Sequence, residues 1–112
     1  MNKFKEDIYA TIKLKGMAHG LVEDVSKSEK LYAFIEYLEA FCKKAHSKSV
    51  AVSVDSIDSA ISFAVHCTGF SARIKDTEHA LFRRMLNVCE RIEISLVNGI
   101  PLIVFVVPGI WL

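Results

Sequence analysis

Apolar residues recur every three or four positions through the second quarter of the chain. They are Leu31, Phe34, Ile35, Leu38, Phe41, Cys42 and Ala45. This spacing is typical of a helix with one buried face. Ser26 and Glu29 precede it with the S-x-x-E spacing of a capping box. The sequence therefore predicts an amphipathic helix over residues 27–46.

The first segment of the chain follows a different pattern, in which apolar and polar residues alternate. Phe4, Ile8, Ala10, Ile12 and Leu14 share one parity, and mostly polar residues occupy the other. An alternation with period two predicts a strand with one buried face. We expect this strand to cover residues 4–15 and to end at Gly16, with Glu6 as the single exception to the pattern.

The middle of the chain predicts further strands. Val50 to Val54 forms a short apolar run, and residues 55–58 have the composition of a turn. Residues 61–67 and 70–75 both alternate around Thr68-Gly69, which predicts a hairpin whose apolar residues share one face. A short helix over 57–67 that stops at Gly69 is the alternative, since short apolar runs fit both periods.

A second amphipathic helix is predicted from Glu78 onward, with Asp76 or Thr77 as its cap. Its apolar face contains Leu81, Phe82, Met85, Val88, Cys89 and Ile92. Asn98-Gly99 then favours a hairpin between residues 92–97 and a final strand, although the helix could also continue to Gly99. The final strand, 100–107, is apolar on both parities, which predicts a position inside the sheet, covered on both faces. Pro101 fits near its first residue.

Together these elements predict one α+β domain over residues 1–112 in the order β-α-β-β-β-α-β-β. The fold would be a single mixed, mainly antiparallel sheet of five or six strands with two helices. If both ambiguous segments are helical, the order becomes β-α-β-α-β-α-β, an α/β fold.

Charge and composition exclude several functional classes. The 112 residues contain 14 Lys and Arg against 13 Asp and Glu, so the net charge of +1 gives no basic excess for nucleic acid. No apolar leader opens the chain, which predicts a cytoplasmic protein. The 19 uncharged residues after Glu93 approach the length of a membrane span, but Pro101 and Pro108-Gly109 interrupt them.

Motifs for cofactor or metal chemistry are absent from the sequence. It contains no phosphate-binding glycine loop, no GxSxG and no HExxH. Cys42, Cys67 and Cys89 are widely spaced and form no CxxC pair, so we expect buried thiols and neither a disulfide framework nor a metal site. We therefore predict no catalytic residues, no metal and no cofactor.

Two sets of polar residues remain as candidate sites. Six carboxylates fall in connectors or helix starts and could form an acidic surface for a basic partner: Glu23, Asp24, Asp55, Asp58, Asp76 and Glu78. The alternative is a small enzyme or ligand-binding site that uses His19, His66 and Arg73, because a histidine beside polar groups can act as a general base.

Trp111 is the second-last residue and lies between apolar neighbours. It must either fold back onto the domain or be covered by a partner. We therefore predict a non-catalytic protein-binding module, for example a bacterial immunity protein that covers a toxin domain. A homodimer held by the uncharged C-terminal segment is a further hypothesis.

Overall fold

The computed structural model describes residues 3–44, 50–55, 57–66 and 76–112. Within these residues the fold is α+β, with three α-helices, one short 3-10 helix and one antiparallel sheet of four strands. The helices are α1 (Lys3–Ala18), α2 (Ser28–Lys44) and α3 (Asp76–Val88), and the 3-10 helix covers Val25–Lys27. The strands are β1 (Val50–Val54), β2 (Ile61–His66), β3 (Arg91–Val97) and β4 (Ile100–Val107). The predicted class is correct, but the described residues form four strands and three α-helices where five or six strands and two helices were predicted.

The largest correction concerns α1, which the alternating pattern predicted to be a strand. Phe4, Ile8 and Ile12 are four residues apart, a spacing that fits both a strand face and a helix face. The helix buries Ile8 and Ile12 together with Tyr9, which a strand would have placed on the opposite face. Leu14, assigned to the buried strand face, is 67% exposed. The period-two pattern arose because apolar Ala10 and Leu14 lie on the solvent side of the helix.

The helix predicted over residues 27–46 is confirmed as α2, but the capping box predicted from Ser26 and Glu29 is wrong. The 3-10 helix Val25–Lys27 precedes α2, and Asp24 is its N-cap. The Asp24 carboxylate accepts hydrogen bonds from the backbone N–H and the hydroxyl of Ser26, at 3.0 and 2.7 Å. The Ser26 hydroxyl is therefore directed back toward Asp24.

The sheet has the strand order β1-β2-β4-β3, and all neighbours are antiparallel. The strand assignment for residues 61–66 is confirmed against the helical alternative, whereas the proposed second arm of that hairpin, 70–75, lies outside the described residues. Both hydrogen-bonding edges of β2 are taken by β1 and β4. The predicted hairpin at Asn98-Gly99 is confirmed, with φ of 53° and 79° at the two turn residues. These positive angles match the type I′ turn that suits a twisted hairpin.

The helices pack against one face of the sheet. One row across that face contains Val52, Phe63, Phe105 and Ile92, from β1, β2, β4 and β3 in turn. Phe34 of α2 lies 5.1 Å from Phe63 and 5.8 Å from Phe105 between ring centroids, and Phe82 of α3 lies 6.3 Å from Phe105. The core therefore lies between α2, α3 and the two central strands.

The prediction for β4 is confirmed in position and only partly in burial. β4 is an interior strand, and its helix-side residues Ile103, Phe105 and Val107 are buried. On the opposite face Leu102 and Val104 are only half-buried. No helix among the described residues is long and apolar enough to cross a bilayer.

Candidate functional site

The C-terminal tail folds back onto the connector between α1 and the 3-10 helix. The Asp24 amide donates to the Ile110 carbonyl at 2.7 Å, and the Leu112 amide donates to the Val22 carbonyl at 2.8 Å. Glu23 and Trp111 form the antiparallel bridge between these two bonds. The tail is thus held by backbone pairing in addition to apolar packing.

The indole of Trp111 joins three parts of the chain. It is 6% exposed and lies against Gly16, where a Cβ atom would come within 2.4 Å of the ring. Its Nε1 donates to the Ser59 carbonyl, in the loop between β1 and β2, at 2.9 Å. Trp111 therefore connects the end of α1, the tail and the β1–β2 loop, and offers little surface of its own to a partner.

The β1–β2 loop is ordered by its own carboxylates. Asp55 accepts from the amides of Ile57 and Asp58 at 2.6 and 3.3 Å, and Asp58 accepts from the Ala60 amide at 3.0 Å. The Asp55 amide donates to the Ala60 carbonyl at 2.9 Å and closes the loop. Asp side chains favour such local bonds in turns. As a result the Ile57 side chain, which is 93% exposed, is presented on a hydrogen-bonded loop.

Trp111 thereby contacts both segments that carry four of the six predicted acidic residues. Glu23 and Asp24 belong to the connector that pairs with the tail, and Asp55 and Asp58 belong to the loop that accepts the indole N–H. The side chains of Asp76 and Glu78 lie outside what the structure describes.

Large apolar side chains are exposed on the same segments. They are Val22, Val25, Ile57 and Leu112. We call the surface formed by residues 22–25, by 55 and 57–60, and by 110–112 the acidic end.

The charges of the acidic end differ in how they are compensated. Glu23 forms an ion pair with Lys13 at 3.4 Å and accepts a hydrogen bond from the Tyr9 hydroxyl. Hydrogen bonds from Ser26 hold the pKa of Asp24 below its ordinary value, so its carboxylate stays ionised. Asp55 and Asp58 have no ion-pair partner among the described residues. The uncompensated negative charge is therefore on the loop that carries Ile57.

The alternative polar site is not assembled by the described residues. His19 directly follows α1, near the contact between Gly16 and Trp111. His66 is the last residue of β2 and pairs with Leu102, near the opposite end of β4 from the tail. Arg73 lies outside the described residues. The two histidines are thus placed at different ends of the sheet.

A cluster between α1 and α2 was missed by the sequence patterns. Tyr9 and Tyr32 stack with ring centroids 4.5 Å apart, and Lys13 and Lys5 lie over their respective rings at 4.8 and 4.9 Å. Lys5 is also paired with Glu36 at 2.7 Å. A strand placed Tyr9 in solvent, so only a helical reading of residues 3–18 could have found this cluster. The shallow groove beside it has a volume of about 500 Å³.

A second cavity, of about 560 Å³, lies between the start of α2, the end of α3 and residues 107–110. Lys27, Lys30 and Asn87 line it beside the N-terminal turn of α2. Cations near a helix N-terminus suit an anion, but Glu29 lines the same cavity and opposes one.

The two cysteines that the structure describes, Cys42 and Cys89, are buried or half-buried. Cys42 is buried, and burial raises the pKa of the half-buried Cys89 thiol to about 12, which keeps it protonated at neutral pH. Cys67 lies outside the described residues. Among the residues that are described, no group of three or more His, Cys, Asp or Glu side chains is placed to hold a metal ion.

Comparison with protein-family models, with curated proteins and with solved structures found no match for this chain. The residues of the acidic end and their surroundings are therefore the features that bear on function.

Proposed function

We propose that the protein is a non-catalytic binding module whose acidic end docks on a basic surface of another protein. The observation that carries the proposal is the bond from Trp111 Nε1 to the Ser59 carbonyl. This bond ties the β1–β2 loop to the tail and thus to the acidic connector. A bacterial immunity protein that covers a basic toxin domain is one concrete form of this function.

The chemistry of the acidic end suits such a partner. Ile57 is exposed between Asp55 and Asp58, whose carboxylates have no cation beside them in the described part of the chain. An apolar anchor inside a charged surround is a common arrangement at protein interfaces. Complementary charge speeds the encounter and disfavours wrong partners. A partner with Lys or Arg around an apolar recess fits this pattern.

The loop is also prepared for binding before any partner arrives. Four hydrogen bonds within residues 55–60 and the indole bond fix its conformation. A loop that is already ordered loses less conformational entropy on association than a flexible one. The acidic end can therefore present Ile57 to a partner in one conformation.

Two variants test the proposal with little effect on the fold. Asp55→Asn with Asp58→Asn removes two charges and keeps an oxygen acceptor for each loop amide, and Ile57→Ser removes the exposed anchor. The full chain is immobilised and used to capture proteins from a lysate of its source. Each captured protein is identified and purified, and its binding to the parent chain and to the variants is measured by calorimetry. We expect each variant to weaken binding of the captured protein about tenfold, roughly 1.4 kcal/mol.

The matched control removes two carboxylates elsewhere. Glu6→Gln with Asp7→Asn changes the net charge equally, at exposed positions near the start of α1. We expect this control to bind within about twofold of the parent chain, since charges distant from an interface change affinity little. Equal binding by all variants would contradict the proposal, as would failure to capture any protein.

A further inference from the structure

We propose that β3 is a self-association edge, along which a second copy of this chain pairs antiparallel with Ile94 on the two-fold axis. This surface lies away from the acidic end, because Ile94 and Leu96 pair with Ile103 and Pro101 in the first half of β4. The tail follows the other end of that strand. The proposal is therefore independent of the proposed function.

The edge itself is open. Within the described residues β3 pairs with β4 alone, so its second row of backbone N–H and C=O groups has no strand partner. Natural edge strands are commonly protected by charged side chains, above all lysine, or by proline, a bulge or short length. β3 is seven residues long, pairs with β4 without a bulge, and contains no lysine or proline. Its two charged residues, Arg91 and Glu93, pair with each other at 3.2 Å and carry opposite charges, so they add no net charge to the edge.

An apolar strip runs along this edge on the helix-covered face of the sheet. Ile92, Ile94 and Leu96 share that face, because Ile92 and Ile94 pair with the buried Phe105 and Ile103. Ile92 packs against the core, but Ile94 is 64% exposed and Leu96 is 71% exposed. The core row of Val50, Val65 and Ile103 thus continues into an Ile94 side chain that faces solvent.

The sequence of β3 is complementary to itself in one register. With Ile94 on the axis, Ile92 faces Leu96 of the second copy and Glu93 faces Ser95 of the second copy, so all seven residues pair and no like charges meet. A shift of two residues toward the start of the strand would place Glu93 against its own copy and Leu96 against Glu90. A shift of two residues the other way, centred on Ser95, avoids like charges but leaves Ile92 and Arg91 opposite the turn residues Asn98 and Gly99. The register centred on Ile94 is therefore the one that pairs the whole strand without opposing like charges.

Such pairing would join two four-stranded sheets into one. The Ile94 side chains would meet across the axis, and each exposed Leu96 would lie beside Ile92 of the second copy. A strand from a different protein could use the same edge, but it would not place Ile94 beside another Ile94. That contact is the distinctive feature of pairing with a second copy.

Light scattering coupled to gel filtration tests the association. We expect the parent chain to run at twice its 12.6 kDa mass. Ile94→Lys with Leu96→Lys should run at the monomer mass, since both positions are exposed and circular dichroism can confirm that the fold is retained. The control Ser53→Lys places a charge at an exposed position of β1, on the opposite edge of the sheet, and should remain dimeric.

Cysteine cross-linking tests the register. In the proposed register the side chains at position 94 face each other at about 4.5–5.5 Å between Cβ atoms, whereas those at position 95 are diagonal at roughly 7–8 Å. Ile94→Cys should therefore give a cross-linked dimer under mild oxidation, well above the level from the native cysteines, and Ser95→Cys should not.

Three results would overturn the proposal. The first is a parent chain that stays monomeric at all concentrations. A monomer that binds an extended strand of another protein at this edge would count as the same result. The second is a dimer that survives the double lysine substitution. The third is equal cross-linking at positions 94 and 95.

Discussion

The indole of Trp111 occupies the space that a side chain at Gly16 would fill. A Cβ atom at position 16 would lie 2.4 Å from Cη2 and 2.6 Å from Cζ3 of the ring. The last turn of α1 and the tail thus approach each other over a residue without a side chain. This contact fixes where the tail lies and, through the tail, where the two acidic segments meet.

Gly16→Ala tests this contact directly. Alanine favours an exposed helix position over glycine by about 1 kcal/mol, so without the indole the substitution would stabilise α1. Because the new methyl group meets a buried ring, we expect the free energy of unfolding to fall by about 1–3 kcal/mol. Urea denaturation measures the change. In a double-mutant cycle, Gly16→Ala should lower the free energy of unfolding much less in a Trp111→Leu background than in the parent chain, because the indole ring is gone. Stabilisation of the parent chain by Gly16→Ala would contradict the contact.

Trp111→Phe tests the bond between the indole and the loop. Phenylalanine retains an aromatic ring but cannot donate to the Ser59 carbonyl, so we expect a loss of about 1–3 kcal/mol from packing and hydrogen bonding together. Hydrogen exchange should also accelerate at the Asp55 amide, which donates to Ala60 within the loop. Amides that pair β3 with β4 serve as the internal control. Uniform acceleration across the sheet would indicate a global effect instead.

Tyr9→Phe should change how stability depends on alkaline pH. Burial, and then the hydrogen bond to Glu23, raises the pKa of the Tyr9 phenol above its ordinary value near 10. A group whose pKa is raised in the folded state contributes to stability. The contribution is complete below the pKa of the unfolded chain and is lost as the pH rises through the pKa of the folded state. The parent chain should therefore lose stability above about pH 10 more steeply than Tyr9→Phe in denaturation series. Parallel curves would show that the phenol does not contribute.

The contribution of Asp24 to stability should be lost as the pH falls, whereas that of Tyr9 is lost as the pH rises. Hydrogen bonds from the hydroxyl and the amide of Ser26 lower the pKa of Asp24 from 3.8, so its contribution is present above that value and is lost as pH falls through the folded value. Asp24→Ala should destabilise the protein at neutral pH, and the difference from the parent should disappear at strongly acidic pH. Asp24→Asn keeps an acceptor oxygen, so at neutral pH its stability should lie between those of the parent chain and Asp24→Ala. A difference that does not change with pH would exclude the charged cap.

Local sequence patterns predicted most of the elements correctly, and the clearest of them fit one period only. The repeat from Leu31 to Cys42 fits a helix and not a strand, and it was correct. Asn98-Gly99 supplies the two positive φ angles that a type I′ turn requires. The strand prediction for residues 4–15 was wrong because a spacing of four residues is compatible with both a strand and a helix. The exposed Leu14 completed a false alternation.

The candidate site illustrates the limit of sequence reasoning. Composition and spacing identified Glu23, Asp24, Asp55 and Asp58 as connector carboxylates. The sequence by itself determines the local role of the three aspartates as turn and cap acceptors, since those bonds span two or three residues. The partners of Glu23, Tyr9 and Lys13, lie on α1 and depend on the tertiary structure. Their convergence was decided only by the tertiary structure. Trp111 and Ser59 are 52 positions apart, and Leu112 and Val22 are farther apart still. Contacts of that range depend on how the whole chain packs around its core, which no local period encodes.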